Sequence, residues 1–150
     1  MHLEKIYLSN FKNYEEANIE FSSFVNCIVG ENGSGKTNLL DAIYFLALSK
    51  SAFQSQDSLC IKHGEEILMI DGIFNKNLQK HQITCSVGKN QKKVILHEKK
   101  PYEKLTDHIG LYPVVLVSPD DTDFIKEGSE KRRKFFDAVL AQMDSNYLND

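Results

Sequence analysis

The 150-residue sequence has no tryptophan, only three prolines and only three cysteines. Cys27, Cys60 and Cys85 form an odd, widely spaced set with no C-x-x-C pair. That spacing excludes a disulfide framework and a structural zinc ribbon, and predicts free, buried thiols in a reducing compartment. The five histidines show no ligand spacing and predict no zinc site. No apolar run approaches the roughly 18 residues of a membrane span. The first ten residues include Glu4 and lack the apolar core of a signal peptide. The expectation is a cytoplasmic chain with no membrane partner.

What is present is ordinary for a globular domain: 41% apolar and 26% charged residues. A chain of this length buries roughly 70% of its unfolded surface, enough for a real core. The net charge of −3 conceals an uneven distribution. Residues 1–75 carry 5 Lys/Arg against 10 Asp/Glu, residues 76–104 carry 8 against 2, and residues 105–150 carry 5 against 9. One basic segment therefore sits inside an acidic chain. Its eight lysines are Lys76, Lys80, Lys89, Lys92, Lys93, Lys99, Lys100 and Lys104. They could neutralise nucleic-acid phosphates, with Lys89, Lys92 and Lys93 as the candidate set. They could equally be a solvated hairpin protecting a sheet edge.

Periodicity divides the chain into elements. Ile6 and Leu8, then Ala17, Ile19 and Phe21, alternate with polar residues as half-buried strands do. Phe24 to Val29 and Val114 to Val117 are short apolar runs, predicting buried strands of a parallel sheet. Leu39, Leu40, Ile43, Leu46 and Ala47 share one face of a helix over about 35–48. Residues 66–98 read as an antiparallel meander, with turns at Asn75–Asn77 and Gly88–Asn90. Pro101 opens a short helix to about His108. Ser118-Pro119-Asp120-Asp121 is a helix start, and a last helix begins near Ser129 with Phe135, Phe136, Val139, Leu140 and Met143 on one stripe. The cations Lys131, Arg132, Arg133 and Lys134 oppose that helix's dipole. They either pair with Asp120, Asp121 and Asp123 or serve an interface.

Between the run ending at Val29 and the helix stands Gly30-Glu31-Asn32-Gly33-Ser34-Gly35-Lys36-Thr37, which fits G-x-x-x-x-G-K-[ST]. Glycines allow successive backbone N–H groups to turn inward around an anion. The helix start adds its positive dipole end. In this pattern the lysine reaches the β- and γ-phosphates and the threonine hydroxyl takes Mg²⁺. The strand–loop–helix context is the one the motif demands. The predicted nucleotide contacts are Gly30, Glu31, Asn32, Gly33, Ser34, Gly35, Lys36, Thr37 and Asn38, with ATP and Mg²⁺ as ligands and Thr37 on the metal. No N-K-x-D guanine motif is present, since Asn75-Lys76-Asn77-Leu78 lacks the aspartate. A small phosphotransferase is disfavoured because no apolar strand after the loop ends in an aspartate.

The opening LEKIYLSNFKNY, the spelling IVGENGSGKTNLLDAIYFLA, and VVLVSPDDTDFIKEGSEKRRKFFD resemble, in order and across the chain, the RecF family of SMC-like, ABC-type ATPase heads. Another SMC-like head, such as an overcoming-lysogenization-type ATPase, is the alternative. The resemblance implies an α/β P-loop NTPase head lobe, with a mixed sheet around the P-loop helix and the β-meander, residues 1–150 being the N-terminal part of one head. It implies that Lys12 and Asn13 of the F-K-N-Y element, with Tyr14, lie near the nucleotide. It further implies double-stranded and gapped DNA as partner, cooperation with RecR and RecO in recombinase loading, an ATP-dependent homodimer, and roles in replication, DNA damage repair and the SOS response. In that family the full-length protein is a weak DNA-stimulated ATPase. The Walker B strand, LSGGQ-like signature and catalytic glutamate have no counterpart in these 150 residues, so the expectation is binding of Mg-ATP without turnover. Ser118-Pro119-Asp120 stands where related heads carry a Q-loop glutamine, and Gln54 where the family often has arginine.

Overall fold

The computed structural model describes residues 1–118 and 129–143. Six strands form one sheet in the order β2-β1-β3-β4-β5-β6, all neighbours antiparallel. They are β1 (His2–Phe11), β2 (Tyr14–Glu20), β3 (Ile67–Lys76), β4 (Gln79–Gly88), β5 (Val94–His97) and β6 (Lys100–Pro101). Helix α1 (Lys36–Leu48) lies on one face, and α2 is Ser129–Met143. The meander expected at 66–98 is present. The β3–β4 turn is centred on Asn77 and Leu78 and the β5–β6 turn on Glu98 and Lys99, all four at positive φ. That is the hand required by tight two-residue hairpins.

Period-2 alternation in the strands builds the core. Ile6 and Leu8 of β1, Leu68 and Ile70 of β3, Ile83, Cys85 and Val87 of β4, and Ile95 of β5 face Leu39, Ala42, Phe45 and Leu46 of α1. Ala17, Ile19 and Phe21 pack at its margin, as their alternation predicts. Gly72 in the middle of β3 is where the helix comes closest, for a β-carbon there would collide with the Leu46 side chain. A strand glycine at a close approach of this kind substitutes space for packing. The α1 stripe differs from the sequence expectation. Leu40 is exposed, whereas Ala42, Phe45 and Asp41 are fully buried. Helical periodicity reports the apolar arc but cannot foresee a carboxylate buried inside it.

Two predicted strands do not pair. Residues 24–29 and 114–117 lie outside the sheet as irregular chain, with Phe24 94% and Val117 77% exposed. A parallel strand needs a neighbour to take its backbone hydrogen bonds, and none of the described strands pairs with either segment. At Val114 the Gln142 amide of α2 takes that part: the Val114 N–H donates to Oε1 at 2.8 Å, and Nε2 donates to the Val114 carbonyl at 3.2 Å. Cys27, in the first of these segments, is exposed and not buried; Cys60 and Cys85 are buried as expected. After Pro101 the chain forms β6's end and a single 3-10 turn, Leu105–Asp107, in place of the predicted helix. The last helix starts at Ser129 as read, but Phe136 and Met143 of its stripe are largely exposed, and Ala138, Val139 and Gln142 face the 114–116 segment. The Ser-Pro-Asp-Asp helix start beyond Ser118, and the acids proposed to pair with the 131–134 cations, lie outside the described residues. No helix among the described residues is long and apolar enough to cross a membrane.

His108 is fully buried and ties the chain after β6 to α1. Its Nε2 lies 2.7 Å from the Leu46 carbonyl, and Nδ1 3.2 Å from the Tyr102 hydroxyl. A carbonyl can only accept, so Nε2 carries the hydrogen and Nδ1 accepts from Tyr102. Burial pushes the His108 pKa down, helped by nearby His97 and opposed by the Leu46 carbonyl. Burial likewise pushes the Tyr102 hydroxyl up to about 12, which keeps it a donor. A depressed folded pKa means the unfolded chain binds the proton more readily. The contribution of His108 is therefore complete above about pH 6.5 and is lost as pH falls towards its folded value. Thermal melts between pH 7.5 and 5 should show a smaller acid-side loss for His108→Gln than for the parent; equal slopes would show that His108 is not the titrating group.

Candidate functional site

The segment Gly30–Thr37 leads into α1 with its glycines at the strained positions. Gly33 has φ 82° and Gly35 φ 103°, conformations that residues with a β-carbon rarely adopt. At Gly35 a β-carbon would also lie 2.6 Å from the Asn13 amide nitrogen. Gly35 is the helix N-cap and offers no side chain, so the first-turn N–H groups stay open to an outside anion. Lys36 crosses the loop, its ammonium donating to the carbonyls of Gly30 (2.8 Å) and Glu31 (2.7 Å). The Ser34 N–H closes a turn onto the Glu31 carbonyl at 3.2 Å. Thr37 is exposed in the first helical turn.

The β1–β2 turn grips this loop from the side. Asn13 donates to the Ser34 carbonyl at 3.3 Å and accepts from the Asn38 amide at 2.7 Å. The Tyr14 hydroxyl donates to the Gly35 carbonyl at 3.1 Å. Burial pushes the Tyr14 pKa up and so preserves that donor. The structure thus brings Asn13, Tyr14, Ser34, Gly35 and Asn38 together, across more than twenty residues of sequence. Tyr14, Gly30, Ser34 and Lys36, with Ile19, Cys27, Ile28, Val29 and Leu39, line an open cleft of ≈ 460 Å³. One end is polar backbone and ammonium, and the other is aliphatic. An anionic group joined to a flat apolar one suits such a shape. The donor set fits a nucleoside triphosphate: the uncapped N–H groups of the first helical turn, one ammonium, one hydroxyl, and glycines at backbone conformations that side chains rarely adopt.

Lys12 is placed differently from its neighbours. Its ammonium sits 2.6 Å from the Asp41 carboxylate in α1, between the rings of Phe11 and Phe53 at 5.6 and 5.5 Å. Asp41 also accepts from the Ser51 hydroxyl and the Ala52 N–H, each at 2.7 Å. The Lys12 N–H donates to the Cys60 carbonyl at 2.7 Å. Lys12 therefore anchors the β1–β2 turn and does not point its charge at the loop. Sequence reasoning missed Asp41 and Ser51. The available signal was one acid inside an otherwise apolar helix face.

The basic segment divides in two. Lys93 turns inward, bonded to Asp57 at 2.6 Å and to the Ser49 carbonyl, with its ammonium 5.6 Å from the Phe45 ring. It is a structural cation whose charge is taken up by Asp57 and the Ser49 carbonyl, unlike the exposed lysines of the candidate nucleic-acid patch. Lys76 bonds the Leu111 carbonyl, and Lys80 pairs with Glu4, which holds that carboxyl below its usual range. Lys89 makes an exposed pair with Glu66 at 2.9 Å, the kind that contributes little. Lys92, Lys99, Lys100 and Lys104 are exposed.

Comparison with known proteins agrees with this geometry. The AAA ATPase domain family matches residues 1–147. The DNA replication and repair protein RecF of Flavobacterium johnsoniae is 53% identical over 149 residues, covering 99% of this chain and 42% of that protein. RecF of Bacteroides fragilis is 43% identical over 150 residues, covering 40% of its length. The chain thus spans about two-fifths of the length of the curated relatives it matches. A solved structure described as the recombination mediator protein RecF with ATP, in the RecFOR pathway, superposes with a TM-score of 0.91 at 33% identity, over 97% of this chain and 39% of that one. A structure from work on ATP-driven dimerization and DNA-stimulated activation of SMC ATPases superposes at 0.72 and 26% identity, over 93% of this chain and 99% of that one.

Because Lys12 is nearly buried, Asp41→Asn leaves its charge unpaired, at a cost of about 3–5 kcal/mol. Urea unfolding should show that loss, and Lys12→Met together with Asp41→Leu should recover part of it. A single-variant loss below about 1 kcal/mol would mean that the pair is solvated.

Proposed function

The chain belongs to the AAA ATPase domain family and matches RecF proteins along its whole length; on that premise we propose that it is the ATP-binding lobe of a DNA repair and replication-maintenance ATPase. The observation that carries the reading is the loop itself: glycines at positive φ, an uncapped helix start, and the Lys36 ammonium 2.7–2.8 Å from the loop carbonyls. ATP arriving at this loop gives the ammonium phosphate oxygens to bind in place of its own carbonyls. That exchange replaces a neutral acceptor with a charged one and strengthens the contact. Asn13 and Tyr14 hold the Ser34 and Gly35 carbonyls outward, which keeps the N–H groups aimed at the phosphates. Thr37 is the residue to hold Mg²⁺, whose charge offsets that of the β- and γ-phosphates. Ile19, Ile28 and Val29 supply the apolar wall for the base.

The wider reading follows the relatives. The chain acts in the cytoplasm on double-stranded and gapped DNA, as part of an ATP-dependent homodimer, and cooperates with RecR and RecO in recombinase loading. The RecF matches support it, with the charge distribution of the meander. Within that patch the contacting lysines are the exposed ones, Lys89 and Lys92 first. The RecF relation is favoured over a general SMC head by the higher identity and TM-score.

Lys36→Ala should weaken Mg-ATP binding by about 1.5–3 kcal/mol, a ten- to hundredfold rise in Kd by calorimetry. Unchanged affinity would remove the loop from the binding site. For DNA, Lys89→Glu with Lys92→Glu should flatten the slope of log K against log salt by about 0.9 per lost phosphate contact. An unchanged slope would reduce these lysines to an edge that resists aggregation.

A further inference from the structure

The meander brings together two histidines sixteen residues apart in sequence. His81 comes from β4, and His97 ends β5, the next strand. His97 Nε2 lies 3.4 Å from His81 Nδ1 and also 3.4 Å from the Tyr112 hydroxyl. A ring nitrogen has either one hydrogen or one lone pair, so it cannot serve both partners well. Two imidazole nitrogens bound to one tetrahedral zinc ion, each at 2.0–2.1 Å, lie about 3.3 Å apart. The observed separation is close to that value.

Glu98 supplies the third donor. Its carboxylate and the two imidazoles each offer an atom within 4.8 Å of the others. Glu98 occupies the β5–β6 turn at φ 51°, a conformation that a glutamate adopts at a cost. Its Oε1 accepts the Gln82 N–H at 2.9 Å, which orients the carboxylate from outside as supporting hydrogen bonds orient metal ligands. The exposed side chain can close the remaining distance by a rotamer change. The histidines are half-buried, and the ring of Tyr102 stacks on His97 at 5.9 Å and 6°, so the donors are held in place.

We propose that His81 Nδ1, His97 Nε2 and the Glu98 carboxylate form a binding site for a divalent transition cation, Zn²⁺ by the character of its donors, which staples β4, β5 and the β5–β6 turn. Two imidazoles and one carboxylate are a zinc-type set, and the fourth position falls to water or the Tyr112 hydroxyl.

The test uses the purified chain without nucleotide, carrying Cys27→Ser so that the exposed thiol cannot capture metal. Co²⁺ is titrated and followed by visible absorption, then displaced by Zn²⁺, and melting temperature is read with and without Zn²⁺. The expected result is one ion per chain, a four-coordinate cobalt spectrum and a rise of several degrees on Zn²⁺ addition. His81→Ala and His97→Ala should each abolish all three, and Glu98→Gln should weaken binding about tenfold. Retained Mg-ATP binding shows that the variants are folded. If they are not, zinc X-ray absorption on the unsubstituted histidines must show two imidazole shells. Absence of binding, a spectrum that persists in the histidine variants, or a shell without imidazole overturns the proposal.

Discussion

The pairing of Lys12 with Asp41 is the constraint on which the nucleotide end of the structure depends. Two opposite charges are brought nearly out of water and compensated by five contacts: the carboxylate receives the ammonium, the Ser51 hydroxyl and the Ala52 N–H, and the ammonium rests beside two aromatic rings. Burying such a pair adds little net stability, but breaking it is expensive. Its effect is positional. It locks the β1–β2 turn against α1, and the next two residues, Asn13 of that turn and Tyr14 at the start of β2, hold the carbonyls of Ser34 and Gly35. The phosphate loop is thereby braced by a strand turn from another part of the chain.

Above that brace, α1 lies close to the sheet because Gly72 leaves room for Leu46. The helix N-terminus points to the cleft and its C-terminal turn to the rest of the molecule. There the Leu46 carbonyl accepts from His108, and the Ser49 carbonyl from Lys93. The helix is thus tethered at its start by the β1–β2 turn and near its end by the meander and the segment after it. This rigid mounting suits an element whose first turn must present N–H groups at fixed positions.

Charge is divided by the same packing. Of the eight lysines in the basic segment, some complete the internal structure, Lys93 most of all, and others face solvent. A patch counted from composition therefore overstates what a polyanion can meet. The exposed lysines fall at both ends of the β4–β5 pair: Lys89 and Lys92 in the hairpin loop after β4, and Lys99 and Lys100 at the opposite end, beside the His81–His97–Glu98 group.

The phosphate loop was legible in the sequence because all of its parts fall within eight consecutive residues, flanked by a change in hydrophobic period. Hairpins and the meander were legible for the same local reason, since alternation and turn chemistry act over a few residues. Asn13 and Tyr14 became visible only through resemblance to a family, because nothing in their own neighbourhood marks them. Other features depended on contacts distant in sequence. Asp41 reads as one acid on a helix, and only the arrival of Lys12 and Ser51 makes it a buried ion. Lys93 reads as part of a basic patch until Asp57 draws it inward. Residues 24–29 and 114–117 have the composition of buried strands, yet burial also needs a neighbour to pair with. His81 and His97 have no ligand spacing along the chain and acquire it when β4 and β5 pair. By itself the sequence determined which residues are apolar, where the chain turns and where an anion can be cradled, because those are properties of a residue and its near neighbours. The tertiary structure decided which charges are buried, which strands are paired and which side chains meet, because these depend on partners that only folding brings within reach.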